Sequence, residues 1–238
     1  EINTDVKNKF KNNPFNDNII YDFKNYPKKL FKTVGEHAPN REAFGNFGSW
    51  INSYVYEKYK RPLAIVCSAD LAGSTNIAGF SKGWLGGDDF GMYDPKSNDT
   101  GTLLPQGITE FANAGIMTGI SSVNFSNNPF DDFNGFITAC STYASFSYLK
   151  YGAYRLYSQL AQDSQLKVGK TIWVAGHSGP ETAEDSRTHF GIFAPGVTQM
   201  FPDNNIINIH PWEYNEVPVM LGAALSTNIP IIALHLTR

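Results

Sequence analysis

Apolar residues recur at three- and four-residue spacing through Ala43, Phe44, Phe47, Trp50, Ile51, Tyr54 and Val55, which predicts an amphipathic helix beginning near Arg41. The run Leu63-Ala64-Ile65-Val66-Cys67 that follows has no polar alternation and predicts a buried strand ending in Ser68-Ala69-Asp70. A Gly-, Asp- and Ser-rich loop comes next, over residues 83–101. Residues 108–120 read as a helix with Glu110 in its first turn, and residues 142–160 as a longer, aromatic-rich helix. Further strands are expected at 171–175, 206–209 and 229–236. A helix is expected at 215–225, with Pro218 in its first turn, where a missing N–H costs nothing.

Apolar strands alternating with helices give an α/β fold, a mostly parallel sheet with helices on both faces. Ligands of such sheets bind outside the carboxyl ends of the strands. Here those ends carry Asp70 with Ser74, the loop from His177 to His189, His210-Pro211-Trp212-Glu213, and His235 through Arg238. The loop Gly176–His189 gathers two of the five histidines, three carboxylates and an arginine, poor material for packing and good material for a polar ligand. A functional site is expected at this edge.

Residues 1–40, rich in Asn, Lys, Phe and Pro without sustained periodicity, are expected to form an extended arm or interdomain linker ahead of a domain at 41–238. A chain of 238 residues, 42% apolar and 14% aromatic, can build one sizeable α/β core. A net charge of −3 provides no general attraction to nucleic acid or an anionic membrane, and no apolar run is long enough to span one. Cys67 and Cys140 sit in apolar surroundings outside any CxxC pair, which favours free thiols in a reducing, cytoplasmic compartment. The chain opens Glu1-Ile2-Asn3 and stops at Arg238 directly after a strand, as a segment of something longer would.

In order along the chain, these clusters resemble the pyrimidine-binding domain of the transketolase family of thiamine diphosphate enzymes. Ser68-Ala69-Asp70-Leu71, followed by Ser74 and Asn76, is similar to the family's Ser-Ala-Asp-Leu loop. Gly107-Ile108-Thr109-Glu110-Phe111, running into Gly119-Ile120-Ser121, resembles its glutamate helix. Thr142-Tyr143-Ala144-Ser145-Phe146, with Tyr148 and Arg155, resembles its aromatic pocket. His177, Glu184-Asp185 and Thr188-His189 fall at the spacing of its diagnostic loop, and Asn215-Glu216 and Leu236-Thr237-Arg238 complete the series. Departures are Thr109 where the family has Arg, Tyr143 where it has Phe, Ser178-Gly179-Pro180 after His177, and Ser186-Arg187 where it has Gly-Pro.

The resemblance implies the thiamine diphosphate-binding fold and transfer of a two-carbon ketol unit between sugar phosphates, in the pentose phosphate reactions. It assigns Glu110 to the pyrimidine nitrogen of the cofactor, where a carboxyl drives the reactive tautomer. Tyr143 and Phe146 would sandwich the pyrimidine, with Asp70 at its edge. His177 and His189 would be catalytic and, with Asp185, bracket the substrate's carbonyl and hydroxyls. Ser74, Arg238 and Arg41 would clamp the sugar phosphate. Simpler roles stand beside these: dipole compensation for Glu110, core packing for the aromatics, turn capping for Asp70, a helix-start surface charge for Arg41. Thiamine diphosphate with Mg²⁺ or Ca²⁺ is the implied cofactor. The Gly-Asp-Gly that anchors diphosphate and metal is absent from the sequence, so the resemblance places that anchor on another domain of the same or a partner chain, in a homodimer.

Other chemistry fits less well. The spacing from His177 to His189 suits no helical zinc motif, and no protein metal site is expected. Pro180 occupies the last glycine position of a hydrolase nucleophile elbow at Gly176–Pro180. Two alternatives remain: a thiamine diphosphate enzyme with a different donor, and a noncatalytic ligand- or partner-binding domain of the same fold.

Overall fold

Five parallel strands form one sheet among the residues described by the computed structural model, 13–178 and 194–237. They are β1 (Ala64–Ser68), β2 (Ile137–Tyr143), β3 (Thr171–Gly176), β4 (Ile206–Ile209) and β5 (Ile231–His235), in the order β1-β2-β3-β5-β4. Every pairing is parallel, so all carboxyl ends share one edge. The helices are α1 (Asn40–Tyr59), α2 (Glu110–Ser121), α3 (Tyr151–Asp163), α4 (Ala194–Thr198) and α5 (Glu216–Ser226). Among the described residues no helix is long and apolar enough to cross a membrane.

The alternation of each strand sorts its side chains between two cores. Ile172 and Val174 of β3 join Phe44, Phe47, Val217 and Leu221 beneath α1 and α5. Trp173 points the other way, stacked on Tyr154 of α3 at 4.8 Å. The α1 side depends on close backbone approach. A Cβ at Gly48 would lie 2.2 Å from the Phe80 ring, so only glycine lets that ring reach the helix. Cys67 and Cys140 are register partners on β1 and β2, both free and buried.

The parallel sheet covered on both faces agrees with the sequence pattern, but one strand and one helix boundary differ from it. Residues 142–160 do not form a continuous helix: β2 runs to Tyr143, a 3-10 segment spans Ala144–Lys150, and α3 follows. Tyr143 and Phe146 therefore do not share an α-helical face. β2 itself, Ile-Thr-Ala-Cys-Ser-Thr-Tyr, carries no long apolar run, yet every residue in it is buried. Its hydroxyls make this tolerable, because each has a partner. Thr138 donates to Met117 O (3.1 Å), Ser141 to Ser68 Oγ (2.7 Å), and Thr142 to Glu110 Oε1 (3.0 Å).

The segment ahead of residue 40 forms 3-10 turns at Pro14–Asn16, Asn18–Ile20, Phe23–Asn25 and Lys28–Leu30. Ile20, Tyr26 and Leu30 from it are buried in the α1 core. Asp17 ties it down, accepting from Lys58 Nζ (2.8 Å) and from the hydroxyls of Tyr54 (2.7 Å) and Tyr59 (3.0 Å). Burial works to raise the Asp17 pKa, but the hydrogen bonds from Lys58, Tyr54, the Ile19 N–H and Tyr59 outweigh it and hold the carboxyl below its ordinary value. A depressed folded-state pKa contributes stability that is present above the unfolded value and lost as pH falls through the folded one. Asp17→Asn should therefore lower stability at pH 7 and flatten its decline below pH 4. Urea midpoints between pH 7 and pH 3 check this; parallel curves for the two proteins would remove Asp17 from the acid transition.

Candidate functional site

Helix α2 lies along β2 in the opposite sense. Ser121, at its end, shares a hydrogen bond with Thr138 near the start of the strand (2.7 Å), and Glu110, its first residue, takes one from Thr142 near the strand's end. The eleven steps of helix, about 16 Å, match the four steps of strand, about 13 Å, closely enough for both contacts to form. Glu110 is thereby delivered to the carboxyl edge, buried at 6% exposure. The turn before it is clamped by Asn113, whose Nδ2 donates to Gly107 O (3.0 Å) and whose Oδ1 accepts from the Thr109 hydroxyl (3.1 Å). A carboxylate in the first helical turn also sits well in the helix dipole.

On the opposite face of the sheet a second group forms. The period of two along β2 sends Thr142 toward Glu110 and Tyr143 away from it. The Tyr143 ring stacks on His177 at 4.5 Å, and its hydroxyl shares a hydrogen bond with Ser74 Oγ (2.8 Å). Arg41 Nη1 donates to Ser74 O (3.1 Å) and to His177 Nε2 (2.9 Å). A guanidinium can only donate, so Nε2 is the acceptor here and the ring hydrogen belongs on Nδ1. His177 has φ +56°, an unusual conformation for a non-glycine residue, at the first position beyond β3. The turn is pinned by Ser178, whose N–H donates to Leu236 O and whose hydroxyl donates to Ala175 O, both at 2.9 Å.

The structure thus gathers Arg41, Ser74, Tyr143 and His177 into one network and sets Glu110 across the sheet edge from them. Phe146 lies in the 3-10 segment and is half-buried. Asp70 Oδ1 accepts the Leu71 N–H at 2.6 Å, which commits that oxygen to the turn after β1. Glu184, Asp185, His189 and Arg238 lie outside the described residues. His210 and His235 stack at 4.1 Å with rings parallel to 1°; burial first, then His210 and Lys150, pull the His235 pKa down to about 3, so this ring is neutral near pH 7. A groove of about 730 Å³ lined by Asp132, Lys170 and Asn205 holds none of the carboxyl-edge residues.

Two contributors carry no signal in the sequence. Thr142 fixes Glu110 only because β2 and α2 run in opposite senses, which no local pattern states. Lys150 sits among apolar neighbours in what reads as a helix, yet its side chain is fully buried at the sheet.

The family model for the transketolase pyrimidine-binding domain matches residues 51–238. No curated protein matches the chain. Among solved structures, the chain is similar to transketolase from Campylobacter jejuni, at 20% identity and a TM-score of 0.64, over all of this chain and 30% of that one. It is also similar to Pichia stipitis transketolase in complex with sedoheptulose 7-phosphate, at 22% identity and a TM-score of 0.62, over 87% of this chain and 26% of that one. An R356L mutant of the Pichia stipitis transketolase, in complex with fructose 6-phosphate, gives 22% identity and a TM-score of 0.62 over 89% of this chain and 28% of that one. This chain spans less than a third of each of these transketolases.

Proposed function

This chain belongs to the transketolase pyrimidine-binding domain family, and on that premise we propose that it supplies the cofactor-activating and substrate-binding half of a thiamine diphosphate site. The reaction proposed is transfer of a two-carbon ketol unit between sugar phosphates, with the diphosphate and its Mg²⁺ or Ca²⁺ held by another domain of the same or a partner chain. The observation that carries this reading is the placement of Glu110. A carboxyl is buried at the carboxyl edge, Oε1 is oriented by Thr142, and among the described residues Oε2 takes no hydrogen bond. That open acceptor suits a ring nitrogen of a bound pyrimidine.

Bound thiamine diphosphate would supply a nucleophilic carbon and an electron sink for breaking a carbon–carbon bond. The work of this chain's own residues is to orient and to exchange protons. Glu110 would hold the pyrimidine edge, with Tyr143 and Phe146 as apolar walls and Asp70 beside them. His177, kept in place by Arg41 and by stacking on Tyr143, presents a ring that can steady a developing alkoxide, a role shared with His189 and Asp185. Ser74, Arg41 and Arg238 would receive the phosphate, for which a guanidinium fork is well matched. A partner domain also has a surface to meet. Ile108, Phe111 and Ile116 on or beside α2, and Leu149 and Leu156 on or beside α3, are exposed.

The division of the site between domains is tested by titrating the isolated chain with thiamine diphosphate and Mg²⁺ in a calorimeter. Without the Gly-Asp-Gly anchor, the pyrimidine contacts bury little surface, and binding should be weaker than about 1 mM, near −4 kcal/mol. Micromolar affinity for the chain alone would overturn the proposed division.

A further inference from the structure

Lys150 closes the 3-10 segment before α3, and its side chain is completely buried. Nζ donates to Cys140 O (2.8 Å) and Val174 O (2.9 Å) and lies 5.7 Å from the centroid of the Trp173 ring. Two carbonyl dipoles replace only part of the water an ammonium loses on burial. Burial accordingly pulls its pKa down to about 8, while Cys140, Cys67 and Glu110 act to raise it. Among the described residues the ion pairs within 4.0 Å are Lys32–Glu42 and Lys58–Asp17. Among the described residues, therefore, no carboxylate lies within 4.0 Å of Lys150 Nζ and no cation within 4.0 Å of the Glu110 carboxyl.

Strand β2 brings these two buried groups close. Lys150 bonds the carbonyl of Cys140, and Glu110 bonds the hydroxyl of Thr142, two residues or about 6.6 Å further along the same strand. Both groups lie on the face covered by α2 and α3: Trp173, beneath the lysine, stacks on Tyr154 of α3, and Glu110 opens α2. That spacing is measured along the backbone, and across an interior with little water Glu110 acts with Cys140 and Cys67 to raise the Lys150 pKa.

We propose that Lys150 is the buried counter-charge of Glu110, a positioning residue that acts on the candidate site through that carboxyl from inside the core. The idea deepens the role given to Glu110 above, but the coupling itself exists without any cofactor. Its rival is a charge pair between Lys150 and the Cys140 thiol, which is pulled down by its hydrogen bond with Cys67 and by Lys150 against the effect of burial.

A double-mutant cycle in the full chain separates these. Lys150→Met, Glu110→Gln and the double variant would be compared by urea denaturation at pH 7, alongside a second cycle pairing Lys150→Met with Cys140→Ala. Each single change in the first cycle strands one buried charge, and the double change strands none. The double variant should fold more favourably than the two single losses predict, by about tenfold to fiftyfold in the folding constant. The cysteine cycle should be additive. Additivity in the first cycle overturns the proposal, and coupling confined to the second replaces Glu110 by the thiol. Lys150→Gln, which keeps a donor for the two carbonyls, takes the place of the Met variant should that one not fold. In the complete enzyme, Lys150→Met should lower kcat about tenfold with KM for the sugar within about twofold, a split that loosened packing alone would not produce. The two claims about Glu110 fail separately. A Glu110→Gln enzyme of normal turnover that still couples to Lys150 would remove the catalytic reading and leave this one, and an inactive but additive variant would do the reverse.

Discussion

Glu110→Gln, made in the complete enzyme, should lower kcat by about 10²- to 10⁴-fold, the range a positioned acid–base group contributes. The substitution is nearly isosteric. Its amide oxygen can still accept the Thr142 hydroxyl at the position where the wild-type carboxyl does, at 3.0 Å. The Asn113 clamp on the preceding turn does not involve the carboxyl at all. The backbone at the start of α2 should therefore be unmoved, and the circular dichroism spectrum unchanged. What is lost is the ability to give or share a proton at the open oxygen. An interaction used only as the reaction proceeds shows in kcat, so KM for the sugar substrates should change by no more than about threefold. Steady-state kinetics on both donor and acceptor check the split. A folded variant with wild-type kcat would show that another group activates the cofactor.

Asn52→Ala is expected to cause the largest loss of stability. Asn52 is completely buried in α1 and satisfies four backbone groups with one side chain. Its Nδ2 donates to Ala64 O (3.0 Å) and Phe80 O (2.8 Å), and its Oδ1 accepts from Leu63 N (3.1 Å) and Ala64 N (2.8 Å). These contacts bind α1 to the start of β1 and to the 3-10 turn Ile77–Ser81, which carries Phe80 against Gly48. Alanine would leave those backbone groups buried with fewer partners or none. Each unsatisfied buried group costs about 1–3 kcal/mol, so a total of about 4 kcal/mol is a low figure. At about 2–4 °C per kcal/mol for a chain of this length, Tm should fall by about 8–16 °C. Differential scanning calorimetry measures it directly. A drop of only a degree or two would mean that water enters and replaces the amide.

The consequence for the site is indirect but specific. The strand that Asn52 anchors leads into the loop bearing Asp70 and Ser74, and Ser74 holds both Arg41 and Tyr143. The destabilised variant should therefore lose the Arg41–His177 network before it loses the Glu110 side, which is fastened to β2 instead.

Much of the molecule could be read along the chain. The apolar runs that became β1, β3 and β5, and the three- and four-residue spacing that became α1, report burial on both faces or on one stripe, and periodicity records burial directly. The edge where polar groups gather followed from strand direction alone. Glu110 at the head of its helix, His177 beyond β3 and Ser74 in the turn after β1 all lay where that direction put them.

Other features depended on contacts between distant segments. β2 was hidden because its buried hydroxyls look solvent-facing until Met117, Ser68 and Glu110 are seen to satisfy them. The stretch after it looked helical because aromatic spacing is the same whether the chain opens in a 3-10 turn or an α-helix. The burial of Ile20, Tyr26 and Leu30 is equally invisible, since single apolar residues in a polar, proline-rich stretch have no period to report. Lys150 shows the limit most clearly. A lysine in sequence is a surface residue by default, and only the meeting of β2, β3 and the 3-10 segment places its ammonium on two strand carbonyls. The sequence by itself determined the burial of the apolar and periodic segments and toward which edge the polar groups point, because both are local properties of the chain. Which polar group satisfies which other was decided by tertiary structure, because hydrogen bonds and buried charges depend on through-space partners, 10 residues apart for Lys150 and Cys140 and 136 for Arg41 and His177.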